Sequence, residues 1–576
     1  MLIAAFLVAL ALPANAAPEK DLTGLWGVEM IRESPARGQL TIDARSEPWR
    51  ALLGGFNVAV ESSGAAVSFK LPAGAGEFRG RVSADSRSIA GQWIQPPSPL
   101  QFNTWATPVV LRQVKGRVWR GDVVPLEERT SFYVSIAHAV DGSMSATVRN
   151  PEFNWFRRRG FDVRLTGTRL LLTDKHDPSS TIEGTWDGAD DLRLELVSGL
   201  PPVALTRRNA AETVALSPRI TAERSYVYRP PIAEDDGWPT ATLADAGIDP
   251  GPIAKLIERI AAGDPALLID SLLIARHGKL VLEEYFYGWD AERPHDTRSA
   301  GKTFAPMLVG IARRQGAKVG PDTPVYGLFE SYAPFAKWDG RKAKMKLGDL
   351  MSMTAGYDCD EDDRPDALLN EGTMQNQTAQ PDWYKYALDA PMAHDPGGRR
   401  AYYCSAELNL AGGAAAKASG KWLPDLFYEG YARPLQFHRY HLNLMPTGEA
   451  YMGGGARIRP RDQLKLGQLY LDGGTWNGRR IVSREWVRQS LEVHSEFQPR
   501  FDVDHQYGWG WHIHHLKAGG RTYTEYESGG NGGQLVLVFP ELDLVIGFTG
   551  SAYGDFASWG RWSVQLVPQS ILPAVR

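Results

Sequence analysis

Ser299 and Lys302 stand three residues apart in "HDTRSAGKTFAPMLVGIARRQG", residues 295–316, where an apolar run begins. A serine hydroxyl is a weak nucleophile until a neighbouring base takes its proton, and a lysine held in a desolvated pocket can serve as that base. At the start of a helix the serine also sits at the positive end of the macrodipole, and its own N–H can donate to an oxyanion. The same four residues read equally as a helix-capping serine followed by a solvated lysine. A Ser-x-x-Lys match is cheap in a long chain, so its surroundings have to decide, although this is the only one in the sequence.

The elements that would position the pair are legible around it. Phe304, Met307, Leu308 and Ile311 recur at helical spacing and give the run after Ser299 one apolar face. "PGPIAKLIERIAAG" has the spacing of a helix, and "SLLIARHGKLVLEEYFYG" reads as a hairpin turning at His277-Gly278-Lys279. A mixed helix and loop stretch covers about 318–500, and "GGQLVLVFPELDLVIGFTG" is a final hairpin. Strands at both ends with helices between them imply an antiparallel sheet assembled from distant segments, an α+β domain over 236–576.

Residues 20–209 have a different texture. Short alternating segments such as "FNVAVE", "AVSFKL" and "LRLELV" are broken by Gly, Asp, Ser and Pro, which predicts an all-β region. Trp26 and Trp119 are separated by 93 residues, as are Trp93 and Trp186, so a duplicated unit of that length is expected. Its product would be a lipocalin-like barrel or sandwich. Pro-bearing, irregular text over 210–235 reads as a linker.

The chain starts with an apolar stretch and Ala14-Asn15-Ala16, the pattern of a secretory signal peptide over 1–16. Export to the periplasm or medium is therefore expected, with no membrane span. A formal net charge of -4 leaves no electrostatic footprint for nucleic acid. Two cysteines, Cys359 and Cys404, permit one disulfide at most. His512 and His514 in "WHIHH" would share a strand face, but no third metal ligand is evident from the sequence, and the acidic "DCDEDDRPD" reads as a solvated loop. No metal or other cofactor is expected. Gly-x-Ser-x-Gly, His-Glu-x-x-His and the phosphate-binding Gly-x-x-x-x-Gly-Lys are all missing from the sequence, which argues against an α/β-hydrolase, a zincin and a P-loop enzyme.

Taken together, "SLLIARHGKLVLEEY", "RSAGKTFAPMLVGIA", "KLGDLMSMTAGYDCD", "DPGGRRAYYCSAELNLAGG", "GGGARIRPRDQLKLGQLYLDGG" and "GGNGGQLVLVFPELDLVIGF" resemble, in order, the serine β-lactamase and penicillin-binding-protein superfamily. Within it they are closest in character to class C β-lactamase-like esterases and 6-aminohexanoate-oligomer hydrolases. The resemblance implies a β-lactamase/transpeptidase-like fold, with Ser299 as nucleophile and Lys302 as its proton partner. It implies that Tyr403, in Tyr403-Cys404-Ser405, shuttles the proton, with Tyr402 as competitor for that role because a residue is inserted after Pro396-Gly397. It also places Glu527-Ser528-Gly529-Gly530 where the family carries Lys-Thr-Gly or His-x-Gly. The N–H groups of Ser299 and Gly530 would form the oxyanion hole, and Ser405, Glu527, Ser528 and Gly529 would contact substrate. Cys359 and Cys404 fall on loops that approach the pocket in this fold, either bonded there or as two separate thiols.

The activity implied is hydrolysis of a small ester or amide through an acyl-enzyme. A β-lactamase, a D-amino-acid peptidase, a non-catalytic penicillin-binding-like sensor, and a β region that itself binds the ligand remain as alternatives. Glu527 stands where lactamases carry a cation, so neutral or cationic substrates are expected to be favoured over anionic β-lactams.

Overall fold

The computed structural model describes residues 21–98, 103–153, 160–188, 190–196, 201–209, 226–264, 266–362, 367, 369 and 377–576. The signal-peptide segment 1–16 and residues 210–225 of the expected linker lie outside them. The chain forms two compact units, one of Met1–Met30, Ser131–Pro151 and Arg158–Thr213, the other of Ile31–Thr130, Glu152–Arg157 and Val214–Arg576.

The first unit is a closed eight-stranded barrel, running from Gly24–Arg32 through Glu128–His138 and five further strands to Val203–Arg208, which pairs back with the first. Alternate residues such as Phe161, Leu170, Leu172, Leu192, Leu194 and Leu205 are buried, as the two-residue period of a strand dictates. Trp26 is fully buried, its indole N–H donating to the Leu22 carbonyl at 3.0 Å.

The second unit opens with another closed eight-stranded barrel, Gly38–Asp43 to Val118–Val123. The two barrels repeat along the sequence: Ser88–Gln95 carries Trp93 and Thr181–Trp186 carries Trp186 at the 93-residue step. Trp26 and Trp119 mark the strands that open the two repeats, and each of these strands closes the barrel formed by the other repeat. The β region of 20–209 thus holds two barrels. Its strand Thr104–Lys115 continues hydrogen bonding onto Tyr440–Leu444, with Leu442 opposite Ala106, and Thr107 Oγ1 lies 2.7 Å from His441 Nδ1. The same sheet runs on through Ala456–Ile458 to His295–Asp296, the two residues leading to the nucleophile turn.

The remainder of that unit is built on an eight-stranded antiparallel sheet in the order Lys279–Tyr285, Ile269–Arg276, Leu544–Gly550, Gln534–Phe539, Arg521–Gly530, His512–Ala518, Gln506–Tyr507 and Ser495–Glu496. Its central strands Ile269–Arg276, Leu544–Gly550 and Gln534–Phe539 are buried on both faces. Leu273, Val536, Val538 and Val545 pack into one core with the helices Phe304–Arg314, Ser405–Ser419 and Pro460–Leu471. Leu272, Leu535, Leu537, Leu544 and Ile546 pack into the other, with Pro250–Ala261 and the C-terminal segment. Helices thus cover both faces, which explains why these strands read as continuous hydrophobic runs rather than alternating ones. The first hairpin turns on His277 and Gly278 alone, with φ 53° and 67°, and Lys279 already pairs with Arg276. Both turn residues take the positive φ of a type I′ turn, which matches strand twist.

Among the described residues no helix is long and apolar enough to cross a membrane.

Candidate active site

Ser299 lies in a 3-10 segment, Arg298–Thr303, that precedes the α-helix Phe304–Arg314. In a 3-10 helix the side chains at i and i+3 eclipse. Ser-x-x-Lys spacing therefore stacks the two functional groups, and Lys302 Nζ donates to Ser299 Oγ at 2.8 Å. Lys302 is buried at 2% exposure. Arg298, immediately before the serine, holds φ 47°, a left-handed conformation uncommon for a residue with a side chain. Its guanidinium is held 3.2 Å from Asp296 and over the Tyr553 ring. Gly454 passes under this turn so closely that a Cβ there would lie 2.7 Å from the Arg298 carbonyl oxygen.

The resemblance left Tyr402 and Tyr403 as competitors, and the fold separates them. Tyr403 lines the same cavity as Ser299, and Lys302 Nζ lies 4.9 Å from its ring centroid. Tyr402 is stacked on His394 at 4.1 Å, with the Arg400 guanidinium over its ring. Cys404 follows at the N-cap of Ser405–Ser419 and is disulfide-bonded to Cys359. Glu361 N–H donates to the Tyr403 carbonyl at 2.8 Å, so bond and hydrogen bond tie the tyrosine loop from both sides. Denatured, unreduced protein is expected to titrate no free thiol; two thiols per chain would contradict this pairing.

Ser405, expected to contact substrate, does not line the cavity. It is buried at the helix start, with its hydroxyl donating to Glu361 at 2.9 Å and its N–H donating to the same carboxylate at 2.6 Å. The Glu361 carboxylate thereby satisfies the orphan N–H at this helix start, and the serine hydroxyl is spent on the same carboxylate.

The strand Arg521–Gly530 divides its residues by parity. Glu527 and Gly529 face the cavity, while Ser528 and Gly530 face the 3-10 turn. Ser528, expected to contact substrate, does not line the cavity: its hydroxyl donates to the Ala300 carbonyl at 2.9 Å and accepts from Thr303 Oγ1 at 2.9 Å. At Gly530 a Cβ would come within 2.8 Å of Ala300 N and 3.1 Å of Ser299 N, so only glycine lets this strand approach the nucleophile.

The cavity has a volume of about 620 Å³. Its far wall holds Phe501, Phe556 and Trp559, and its polar wall holds His505, His512, His514 and Glu527. Burial keeps all three imidazoles below their ordinary range, His514 down to about 4. Burial likewise raises the Glu527 carboxyl, against a hydrogen bond from Ser563. His505 Nε2 and His512 Nδ1 are 2.7 Å apart.

A family model described as Beta-lactamase matches residues 257–557, the span holding all of these groups. The chain belongs to the beta-lactamase family. A 6-aminohexanoate-dimer hydrolase of Paenarthrobacter ureafaciens is 24% identical over 228 residues, 38% of this chain and 57% of that protein. The match thus spans little more than half the length of that relative. Among solved structures, a family VIII carboxylesterase is similar with 18% identity and a TM-score of 0.41, covering 55% of this chain and 98% of the other. A D-stereospecific amidohydrolase from Streptomyces sp. is similar with 15% identity and a TM-score of 0.40, covering 51% and 93%. By name these three proteins are a hydrolase, a carboxylesterase and an amidohydrolase.

Two features escaped the sequence reading. Glu361 was counted only as part of an acidic loop, yet it anchors the Ser405 helix start. Glu525 was not singled out, although it lies directly opposite His514 in the hairpin. The signal was present: Gly519-Gly520, with φ 57° and 76°, is a two-residue turn that fixes which residues face each other.

Proposed function

We propose that this protein is an exported serine hydrolase that cleaves an ester or amide bond through an acyl-enzyme on Ser299. The observation that carries the reading is the 2.8 Å Lys302–Ser299 contact, buried at one end yet opening into a cavity of substrate size. As Ser299 Oγ attacks the carbonyl carbon, its proton passes into the Lys302–Tyr403 pair. The carbonyl π bond opens, and the resulting oxyanion is met by the N–H groups of Ser299 and Gly530. The carbon–heteroatom bond then breaks as the leaving group collects the proton through Tyr403. Water repeats the sequence on the acyl-enzyme and releases the acid, restoring the Ser299 hydroxyl. The Cys359–Cys404 bond supports an oxidising compartment, consistent with export.

A fluorophosphonate probe is expected to label the wild-type chain once and to leave Ser299→Ala unlabelled. Persistent labelling of that variant, located by peptide mapping at another serine, would overturn the nucleophile.

Gly530→Ala tests the oxyanion arrangement. The added Cβ meets backbone, which cannot rotate away, so the strand must withdraw from Ser299 N. A fall in kcat of about 10²–10³ on a p-nitrophenyl ester is expected, the size of losing one oxyanion donor. Unchanged turnover with an unchanged melting temperature would remove Gly530 from the reaction.

A further inference from the structure

The hairpin His512–Ala518 and Arg521–Gly530 places His514 opposite Glu525 and His512 opposite Glu527, all on one face. One ligand atom from each of His514, Glu525 and Glu527 lies within 4.8 Å of the other two, and all three residues are buried. Two carboxylates and an imidazole in such a space are an expensive arrangement unless something positive stands among them.

Glu525 makes that point independently. It has no solvent exposure, and neither of its carboxylate oxygens has a hydrogen-bond partner among the described residues. A buried polar group left in this way calls for an explanation, an ion being one.

His514 is set up in a complementary manner. Its Nδ1 lies 3.1 Å from the Asp504 carbonyl oxygen. A carbonyl can only accept, so Nδ1 carries the proton and Nε2 keeps its lone pair. Metal-bound histidines are fixed by this kind of outer bond, N–H to a backbone carbonyl. Glu527 has its own outer partner in the Ser563 hydroxyl.

We propose that His514, Glu525 and Glu527 form a binding site for one divalent transition cation of the Zn²⁺ class in the wall of the Ser299 cavity. One nitrogen and two carboxylate oxygens suit a borderline cation, and the charge of two carboxylates matches a dication. Zinc bonds of about 2.0–2.2 Å require the three ligand atoms to draw together by about 1 Å, within reach of side-chain rotation. A fourth position would face the cavity, which both His514 and Glu527 line. A dication there would also cancel the charge that Glu527 otherwise presents to a substrate. No third ligand is evident in the sequence because Glu525 and Glu527 reach the histidine through cross-strand pairing. The proposal concerns binding and stands apart from the hydrolase reading.

The test uses the full chain, stripped with dipicolinate and titrated with ZnCl₂ by calorimetry, with zinc per chain counted after gel filtration. One Zn²⁺ per chain at micromolar affinity or tighter is expected, together with a zinc-dependent rise in melting temperature. Glu525→Gln and His514→Gln should each weaken binding at least about 100-fold, while His277→Gln, an exposed histidine elsewhere, should leave it unchanged. The near-isosteric Glu525→Gln guards against loss of folding, which its melting curve without zinc would reveal. Several results would overturn the site. One is a wild type that takes up no stoichiometric zinc, with Glu525→Gln simply more stable, as for a carboxyl that is buried protonated. Another is binding that survives Glu525→Gln but vanishes on His505→Gln, which would place the ion on the His505–His512 pair. Equal stabilisation by Mg²⁺ or Ca²⁺ would exclude the nitrogen ligand.

Discussion

Replacing Lys302 by alanine is expected to lower kcat/KM for a neutral ester by about three to four orders of magnitude, the upper range for loss of a positioned proton-transfer group. Lys302 Nζ is within hydrogen-bonding distance of Ser299 Oγ and within cation–π distance of the Tyr403 ring, in a pocket where the ammonium is almost fully covered. Tyr403→Phe removes only a hydroxyl and keeps the ring, yet it should cost about 10²–10⁴ because the proton then lacks its route to the leaving group. Groups that move one proton act as a unit, so the double variant should be little worse than the poorer single. Tyr402→Phe, by contrast, alters a ring stacked on His394 and should change the rate only a few-fold. The measurement is a double-mutant cycle in kcat/KM on one p-nitrophenyl ester, with melting temperatures alongside. Additive losses, or a collapse in Tyr402→Phe with Tyr403→Phe intact, would show that the Lys302–Tyr403 unit is misassigned.

The largest effect on stability is expected from Asp462→Ala. Asp462 is fully buried and accepts from Arg459 Nε at 3.0 Å and from Lys465 Nζ at 2.8 Å, both cations themselves buried. Removing the carboxylate leaves two cations facing each other with little solvent, although Glu234, Glu292 and Asp236 still approach them at 3.5, 2.6 and 3.9 Å. A loss of about 3–5 kcal/mol follows from breaking a buried pair from one side. Burial by itself would raise the Asp462 carboxyl, but Lys465 and Arg459 outweigh it and hold it below its ordinary value. A group depressed in the folded state stabilises above its unfolded pKa, about 3.9, and that contribution fades as pH falls through the folded value. The gap between wild type and Asp462→Ala should therefore be full at pH 7 and shrink only below about pH 4. Urea melts at pH 7 and at pH 3.5 read both. A difference at pH 7 under about 1 kcal/mol, the size of an exposed pair, would mean that solvent reaches the cluster.

The sequence by itself determined what depends on spacing within one turn or one strand. Ser299 and Lys302 are three residues apart, and three residues complete a turn of 3-10 helix, so their meeting was written locally. The helices at 250–261 and 304–314 and the hairpin around His277-Gly278 followed from periodicity and turn chemistry in the same way. Tyr403 came from the resemblance of its loop, because no local rule brings a residue a hundred positions away to a lysine.

Tertiary structure alone decided the rest. Ser405 and Ser528 carry the residue types of a binding site, but helix capping and strand parity turn their hydroxyls to Glu361 and Ala300. How the β region of 20–209 is joined was not written locally either: each repeat's opening strand closes the other's barrel, and Thr104–Lys115 pairs with Tyr440–Leu444. A strand's side chains advertise their polarity in sequence, whereas its backbone edge, the same in every residue but proline, carries no label for its partner. For that reason the approach of Gly530 to Ser299 could be read only once the chain was folded, whereas the register that sets His514 against Glu525 carried a local signal in the Gly519-Gly520 turn.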